Sequence, residues 1–165
     1  MRKRTVTFVL AAAMAVSSVL PVYASEETES AGDLSGKTFA IVIRNAGNPY
    51  AEKEAEGFRE VIEAAGAECI VRTPERATAD AQIPLIQSLI SQEVDAIAIA
   101  SNDVNALTAS LTEAMEAGIK VSSLDSNVAP EARQTFVNQA GVQEIGQALA
   151  DAVYDISGGE GQWAI

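Results

Sequence analysis

Apolar positions along this chain keep two rhythms in turn. Residues 38–43, "TFAIVI", form a short continuous apolar run that reads as a strand. Residues 49–65 then place Ala51, Ala55, Phe58, Ile62 and Ala65 at helical intervals, with Gly66 as the stop. The alternation continues with a strand at 68–72, a helix at 81–92 whose Pro84 is tolerable only in the first turn, and a strand at 96–100, "AIAIA". A helix at 105–117 carries Leu107, Leu111, Ala114 and Met115 on one face and stops at Gly118, and a strand at 120–124 follows. A short fifth apolar run, Thr135-Phe136-Val137, precedes a helix at 142–156, which is expected to bury Ile145, Leu149, Ala152, Val153 and Ile156. Strands apolar on both faces and separated by amphipathic helices predict an α/β fold, a doubly wound parallel sheet with helices on both faces.

The ends of the chain break this rhythm. Met1-Arg2-Lys3-Arg4 is basic, residues 5–20 are uncharged and mostly apolar, and Val22-Tyr23-Ala24 supplies small residues at the −3 and −1 positions of a signal-peptidase site. The apolar run is shorter than the roughly 20 residues of a spanning helix. Residues 1–24 are therefore expected to be a cleaved signal peptide, leaving a mature chain that starts at Ser25. Cys69, the only cysteine, lies far from the end of that run, so no lipid-anchoring cysteine follows it. The chain is expected to be exported, to the periplasm or the cell surface. Residues 25–36, "SEETESAGDLSG", are acidic and without periodicity, and read as a disordered leader. At the other end, Gln162-Trp163-Ala164-Ile165 follows a glycine-rich turn and reads as the opening of another strand, so the whole protein is expected to continue past Ile165.

Composition narrows the function. The formal net charge is −12, and loss of Arg2, Lys3 and Arg4 with the signal peptide makes the remainder more acidic still, which argues against nucleic acid as a partner. The sequence has no histidine, which removes Ser–His and Cys–His catalysis and imidazole-ligated metals. Neither a cofactor nor a metal is expected; "RNAGNPY" after the first strand has a single glycine, Gly47, and no nucleotide-binding spacing. Cys69, in "AECIV", reads as a core residue.

Candidate chemistry lies at the strand ends. In doubly wound sheets ligands bind beyond the carboxyl ends of the strands, where strand order reverses. Those ends deliver Arg44-Asn45, Ser101-Asn102-Asp103, Asp125-Ser126-Asn127 and Asn138-Gln139, with Tyr50 at the start of the first helix. A carboxylate, a guanidinium, amides and hydroxyls beside an aromatic ring suit a polyhydroxylated ligand. Each also has a local reading: Asp125 as a turn residue, Arg44 as its ion-pair partner, Asn102 or Asp103 as a helix cap, Asn138 and Gln139 as solvated loop, Tyr50 as packing.

The segments "AIVIRNAGNPYAEKEAEGFREVIEAAGAE", "DAIAIASNDVNALTASLTEAMEAGIKV" and "LDSNVAPEARQTFVNQAG" together resemble the N-terminal lobe of type I periplasmic sugar-binding proteins, the ribose-binding-protein group, and most closely its rhamnose- and autoinducer-2-binding branch. The resemblance covers residues 37–165, taken as that lobe, before the second. It implies a substrate-binding component of an ABC transporter, a monomer that carries a sugar to a membrane permease and performs no chemistry. It implies ligand contacts from Asp125, from Arg44, where the autoinducer-2 branch tends to carry lysine, and from Asn48 and Tyr50, which match an asparagine–proline–aromatic turn facing the sugar. Ala51 and Ala100 stand where ribose binders carry an aromatic residue and an asparagine, which counts against ribose. The candidate ligand residues are thus Arg44, Asn48, Tyr50, Ser101, Asn102, Asp125, Asn138 and Gln139. Alternatives are a chemotaxis or quorum-signal receptor using the same binding fold, an exported α/β hydrolytic enzyme such as a phosphatase-like protein, and a repressor core of the same architecture, for which the export signal is the wrong leader.

Overall fold

The computed structural model describes residues 32–162. The expected signal peptide, most of the expected leader, and Trp163-Ala164-Ile165 lie outside the described residues. The elements are β1 (Thr38–Val42), α1 (Pro49–Ala64), β2 (Glu68–Arg72), α2 (Ala79–Ser91), β3 (Ala96–Ile99), α3 (Thr108–Glu116), β4 (Lys120–Leu124), a 3-10 turn (Pro130–Ala132), β5 (Thr135–Val137) and α4 (Val142–Ser157). The five strands form one sheet in the order β2-β1-β3-β4-β5, every pair parallel.

Strand alternation explains the two-sided burial. Ala40 and Val42 of β1, Ile97 and Ile99 of β3 and Val121 of β4 face a core filled by Ile86 and Leu89 of α2, Leu107, and Leu111 and Ala114 of α3. The intervening Ile41 and Ile43, with Ala98, face α1 through Ala51, Ala55 and Phe58. Each fully buried Ile or Leu stabilises the fold by about 1.5–3 kcal/mol relative to exposure.

Several boundaries differ from the periodicity. Helix α2 starts at Ala79, so Pro84 falls past the first turn. The helix bears this because Pro84 and Asp80 are on the solvent side, where water can satisfy the carbonyl that proline leaves without a donor. Helix α3 starts at Thr108 rather than residue 105, because Asp103 Oδ1 accepts from the amides of Asn105 and Ala106, both at 2.8 Å, and holds residues 104–107 as a turn. The leader ends earlier than expected: the Leu34 amide donates to the Ala65 carbonyl at 2.9 Å, which ties residues 34–37 to the end of α1. Cys69, expected in the core, is half-buried on the edge strand β2, where burial pushes its thiol up.

The largest correction is α4. Its helical spacing was right, but it buries no residue: Ile145 is 45% exposed, Leu149 56%, Val153 38% and Ile156 87%. Among the described residues the apolar face expected to be buried is left exposed, since the chain passes from β5 through Asn138–Gly141 into α4 without burying any of its side chains.

Candidate functional site

Register sets the rim. Val42, Ile99, Ser123 and Phe136 are aligned across β1, β3, β4 and β5, so the residues two places on, Arg44, Ser101, Asp125 and Asn138, emerge at one level. The order 2-1-3-4-5 reverses between β1 and β3, and the crevice of such a sheet opens there. Arg44 and Asn102 close this point: Asn102 Nδ2 donates to the Arg44 carbonyl at 2.8 Å, and Arg44 Nε donates to Asn102 Oδ1 at 3.5 Å.

Arg44 and Asp125 meet chiefly through a hydroxyl. Arg44 Nη1 donates to Ser126 Oγ at 3.0 Å, and Ser126 Oγ donates to Asp125 Oδ2 at 3.0 Å, while the direct distance from guanidinium to carboxylate is 3.9 Å. On its other side Asp125 Oδ1 accepts from Gln139 Nε2 at 2.9 Å, and the same amide donates to the Tyr50 hydroxyl at 3.1 Å. Arg44, Ser126, Asp125, Gln139 and Tyr50 thus form one polar chain along the rim. Asp125 has φ +55°, a left-handed conformation that aspartate tolerates better than most residues.

Other candidates are engaged locally. Asn48 is the N-cap of α1, its Oδ1 accepting from the Tyr50 amide at 3.0 Å, which orients the helix that carries Tyr50. Ser101 is buried, and its hydroxyl is held by the backbone of Asp103. Asp103 serves the turn before α3, whose amides hold its carboxyl below the usual aspartate range. Asn138 is exposed beside the rim. Among the described residues no group of three or more Cys, Asp or Glu stands together as metal ligands.

Two further residues, Gln82 of α2 and Glu54 of α1, were not among the candidates. Gln82 is fully buried; its Nε2 donates to the carbonyls of Ile43 at 3.3 Å and Ala100 at 2.8 Å, and its Oε1 accepts from the Asn102 amide at 2.9 Å. It ties the ends of β1 and β3 together at the crevice. Its signal was a lone polar residue in the buried stripe Ala79, Gln82, Ile86, Leu89. Glu54 sits one turn beyond Tyr50 on α1 and is partly buried. Burial, then the charge of Asp125, pushes its carboxyl up, against the opposing pull of the Tyr50 hydroxyl and of Arg44. The Tyr50 phenol is pushed up by burial and by Glu54 and Asp125. A cavity of about 840 Å³ opens at the opposite, amino end of the strands, lined by residues such as Leu34, Phe39, Val94 and Ile119, away from the rim chemistry.

Residues 39–165 match the family described as the periplasmic binding protein domain. Among solved structures, an ABC transporter solute-binding protein from Clostridium phytofermentas with bound L-rhamnose is 54% identical, with a TM-score of 0.74 over 77% of this chain and 40% of that one. A sugar ABC transporter protein from Actinomyces odontolyticus is 28% identical, with a TM-score of 0.71 over 79% of this chain and 42% of its own. LsrB from Clostridium saccharobutylicum in complex with AI-2 is 28% identical, with a TM-score of 0.67 over 72% of this chain and 36% of its own. The chain thus spans about two-fifths of the length of the solved proteins it matches.

Proposed function

From the premise that this chain belongs to the periplasmic binding protein domain family, we propose that it is the amino-terminal lobe of an exported solute-binding protein that captures a sugar and delivers it to the permease of an ABC transporter. The observation that carries the reading is the polar chain from Arg44 through Ser126, Asp125 and Gln139 to Tyr50 at the crevice of the sheet. The carboxylate there accepts from ligand hydroxyls, the guanidinium donates in a fixed fork, and the half-exposed ring of Tyr50 covers an apolar sugar face. L-rhamnose is the first ligand to try, because the neighbour at 54% identity holds it. AI-2, held by a neighbour at 28% identity, is the second.

One lobe supplies half of such a site. Small-molecule sites bury about 70–90% or more of a drug-sized ligand, and an open rim does not enclose one. The unpartnered apolar face of α4 fits a helix that packs in a second lobe. Gln139, on the segment between β5 and α4, would then sit at the crossing, so a ligand hydroxyl that takes its place on Asp125 would loosen the connector as the lobes close. Calorimetric titration of the full-length protein with L-rhamnose, D-ribose and AI-2 tests the reading. Binding of one of them at roughly micromolar or tighter is expected, and no binding of any overturns it.

A further inference from the structure

The pairing of β1 with β3 ends at Val42 and Ile99, and the Ala100 amide still donates to the Val42 carbonyl at 3.0 Å. The next carbonyls, those of Ile43 and Ala100, accept instead from the side chain of Gln82 on α2. That side chain fits one way round. Its NH2 group faces two carbonyls and its oxygen takes the Asn102 amide, so a flip would set oxygen against oxygen on both strands. Gln82 is fully buried, so water does not compete for these bonds. From there the bonds run outward. Asn102, whose backbone Gln82 holds, turns its own amide onto the Arg44 carbonyl at 2.8 Å and onto Arg44 Nε at 3.5 Å. The guanidinium continues to Ser126 Oγ at 3.0 Å and so to Asp125. A buried amide on α2 thus stands at the root of a chain of hydrogen bonds that ends on the rim carboxylate.

We propose that Gln82 is a positioning residue for ligand capture: through the Asn102 backbone it sets where the Arg44 guanidinium stands at the crevice, without touching the ligand itself. The inference rests on the sugar-binding reading above. Arg44 is a long, half-exposed side chain, and tied to Ser126 alone it would keep much of its rotamer freedom. Asn102 grips it at two points, its carbonyl and its Nε, and that grip is as well placed as the Asn102 backbone is. Donors held in place before the ligand arrives cost less to order on binding, so the gain is read as affinity. Gln82 also satisfies two buried carbonyls. That structural role by itself predicts a loss of stability and no loss of affinity in molecules that remain folded.

The test uses the full-length protein, titrated with L-rhamnose, D-ribose and AI-2 between pH of about 9 and 5, well below the melting temperature of each variant. Q82E keeps the shape and the acceptor, but its second oxygen faces the two carbonyls and can donate only when protonated. Burial pushes such a carboxyl well above the ordinary glutamate range. The partners at this position are all backbone groups, and the charged side chains of the network, Arg44 and Asp125, lie beyond Asn102. At pH of about 9, Q82E should bind the sugar about tenfold more weakly than wild type. By pH of about 5 the ratio should close to within about threefold, as the new O–H takes up the Ala100 carbonyl. Q82M, whose thioether cannot replace the amide, should stay about tenfold weaker throughout. In an N102A background, Q82E should lower the melting temperature further yet cost no further affinity, because its route to Arg44 runs through Asn102. A wild type that binds one of the three ligands overturns the positioning role alone if Q82E stays within about threefold of it at every pH, or if the Q82E and N102A losses add in full. A wild type that binds none of them overturns the transport reading, and the role of Gln82 with it.

Discussion

Asp125 combines the rim's most connected carboxylate with a backbone conformation that few side chains accept. Left-handed φ costs most residues about 1–2 kcal/mol and aspartate or asparagine less, so Asp125→Asn keeps the turn while removing the charge. Hydrogen bonds to a charged acceptor contribute about 1.5–3 kcal/mol each, against about 0.5–1.5 for neutral ones. With two ligand hydroxyls on the carboxylate, Asp125→Asn in the full-length protein should weaken L-rhamnose binding by about 2–3 kcal/mol, or roughly 30- to 150-fold. Its melting temperature without ligand should stay within about 2 °C of wild type, since the nearby ion pair is long and its Arg44 side is half-exposed. A lower melting point with unchanged affinity would make Asp125 a turn residue only. Strand ends made Arg44, Asn102, Asp125 and Gln139 legible in the sequence, because parallel register brings such ends to one level. Ser126, in the same inventory but outside the chosen set, proved to be the bridge between Arg44 and Asp125. Gln82 was not legible, since a helix position says little about which strand end it reaches.

At the scale of elements, helix ends follow one device with one exception. Helix α1 ends in Gly66 at φ +85° and α3 in Gly118 at φ +92°, each with the paired backbone bonds of a left-handed stop. Helix α2 ends the same way, with the Val94 amide on the Leu89 carbonyl and the Glu93 amide on that of Ile90, yet the left-handed residue is Glu93 at φ +53°. Buried Val94 and Leu89 supply the apolar contact that makes the motif worth forming even without glycine. Glu93→Gly should therefore stabilise the protein by about 1 kcal/mol, read as a higher urea midpoint at unchanged slope. A fall in the midpoint would mean that the flexibility gained by the unfolded chain outweighs the strain relieved. The two glycine stops were legible in the sequence, and the glutamate stop was not. Helix α4 marks the other limit: periodicity shows that a helix has an apolar face, but not which surface covers it.

Across the whole molecule, acidic groups pull stability in opposite directions. Asp95 is held below the ordinary aspartate value of 3.8 by the Lys37 ammonium and the Thr38 amide, which it joins at 2.7 and 2.8 Å. Asp103 is lowered by the amides of Ala106 and Asn105, and Asp33 by Ser35. For these three the folded state holds its proton less tightly than the unfolded state, so their contribution is present above pH 3.8 and is lost as pH falls through their lower folded values. Glu54 is the reverse. Its folded value lies above the ordinary glutamate value of 4.5, so folding gains as pH falls from its raised value toward 4.5, where the buried charge is neutralised. The formal net charge of −12 adds to this arm, because neutralising carboxylates also relieves self-repulsion in the compact state. Melting temperature plotted against pH should thus rise on mild acidification, pass a maximum, and fall below the aspartate range. E54Q should be more stable than wild type at neutral pH and flatten the upper arm, while leaving the acid arm in place. Asp95→Asn should do the opposite, lowering stability at neutral pH and softening the acid fall. A wild-type curve that declines steadily from neutral pH, with E54Q parallel to it, would show that Glu54 carries no uncompensated charge in the folded protein.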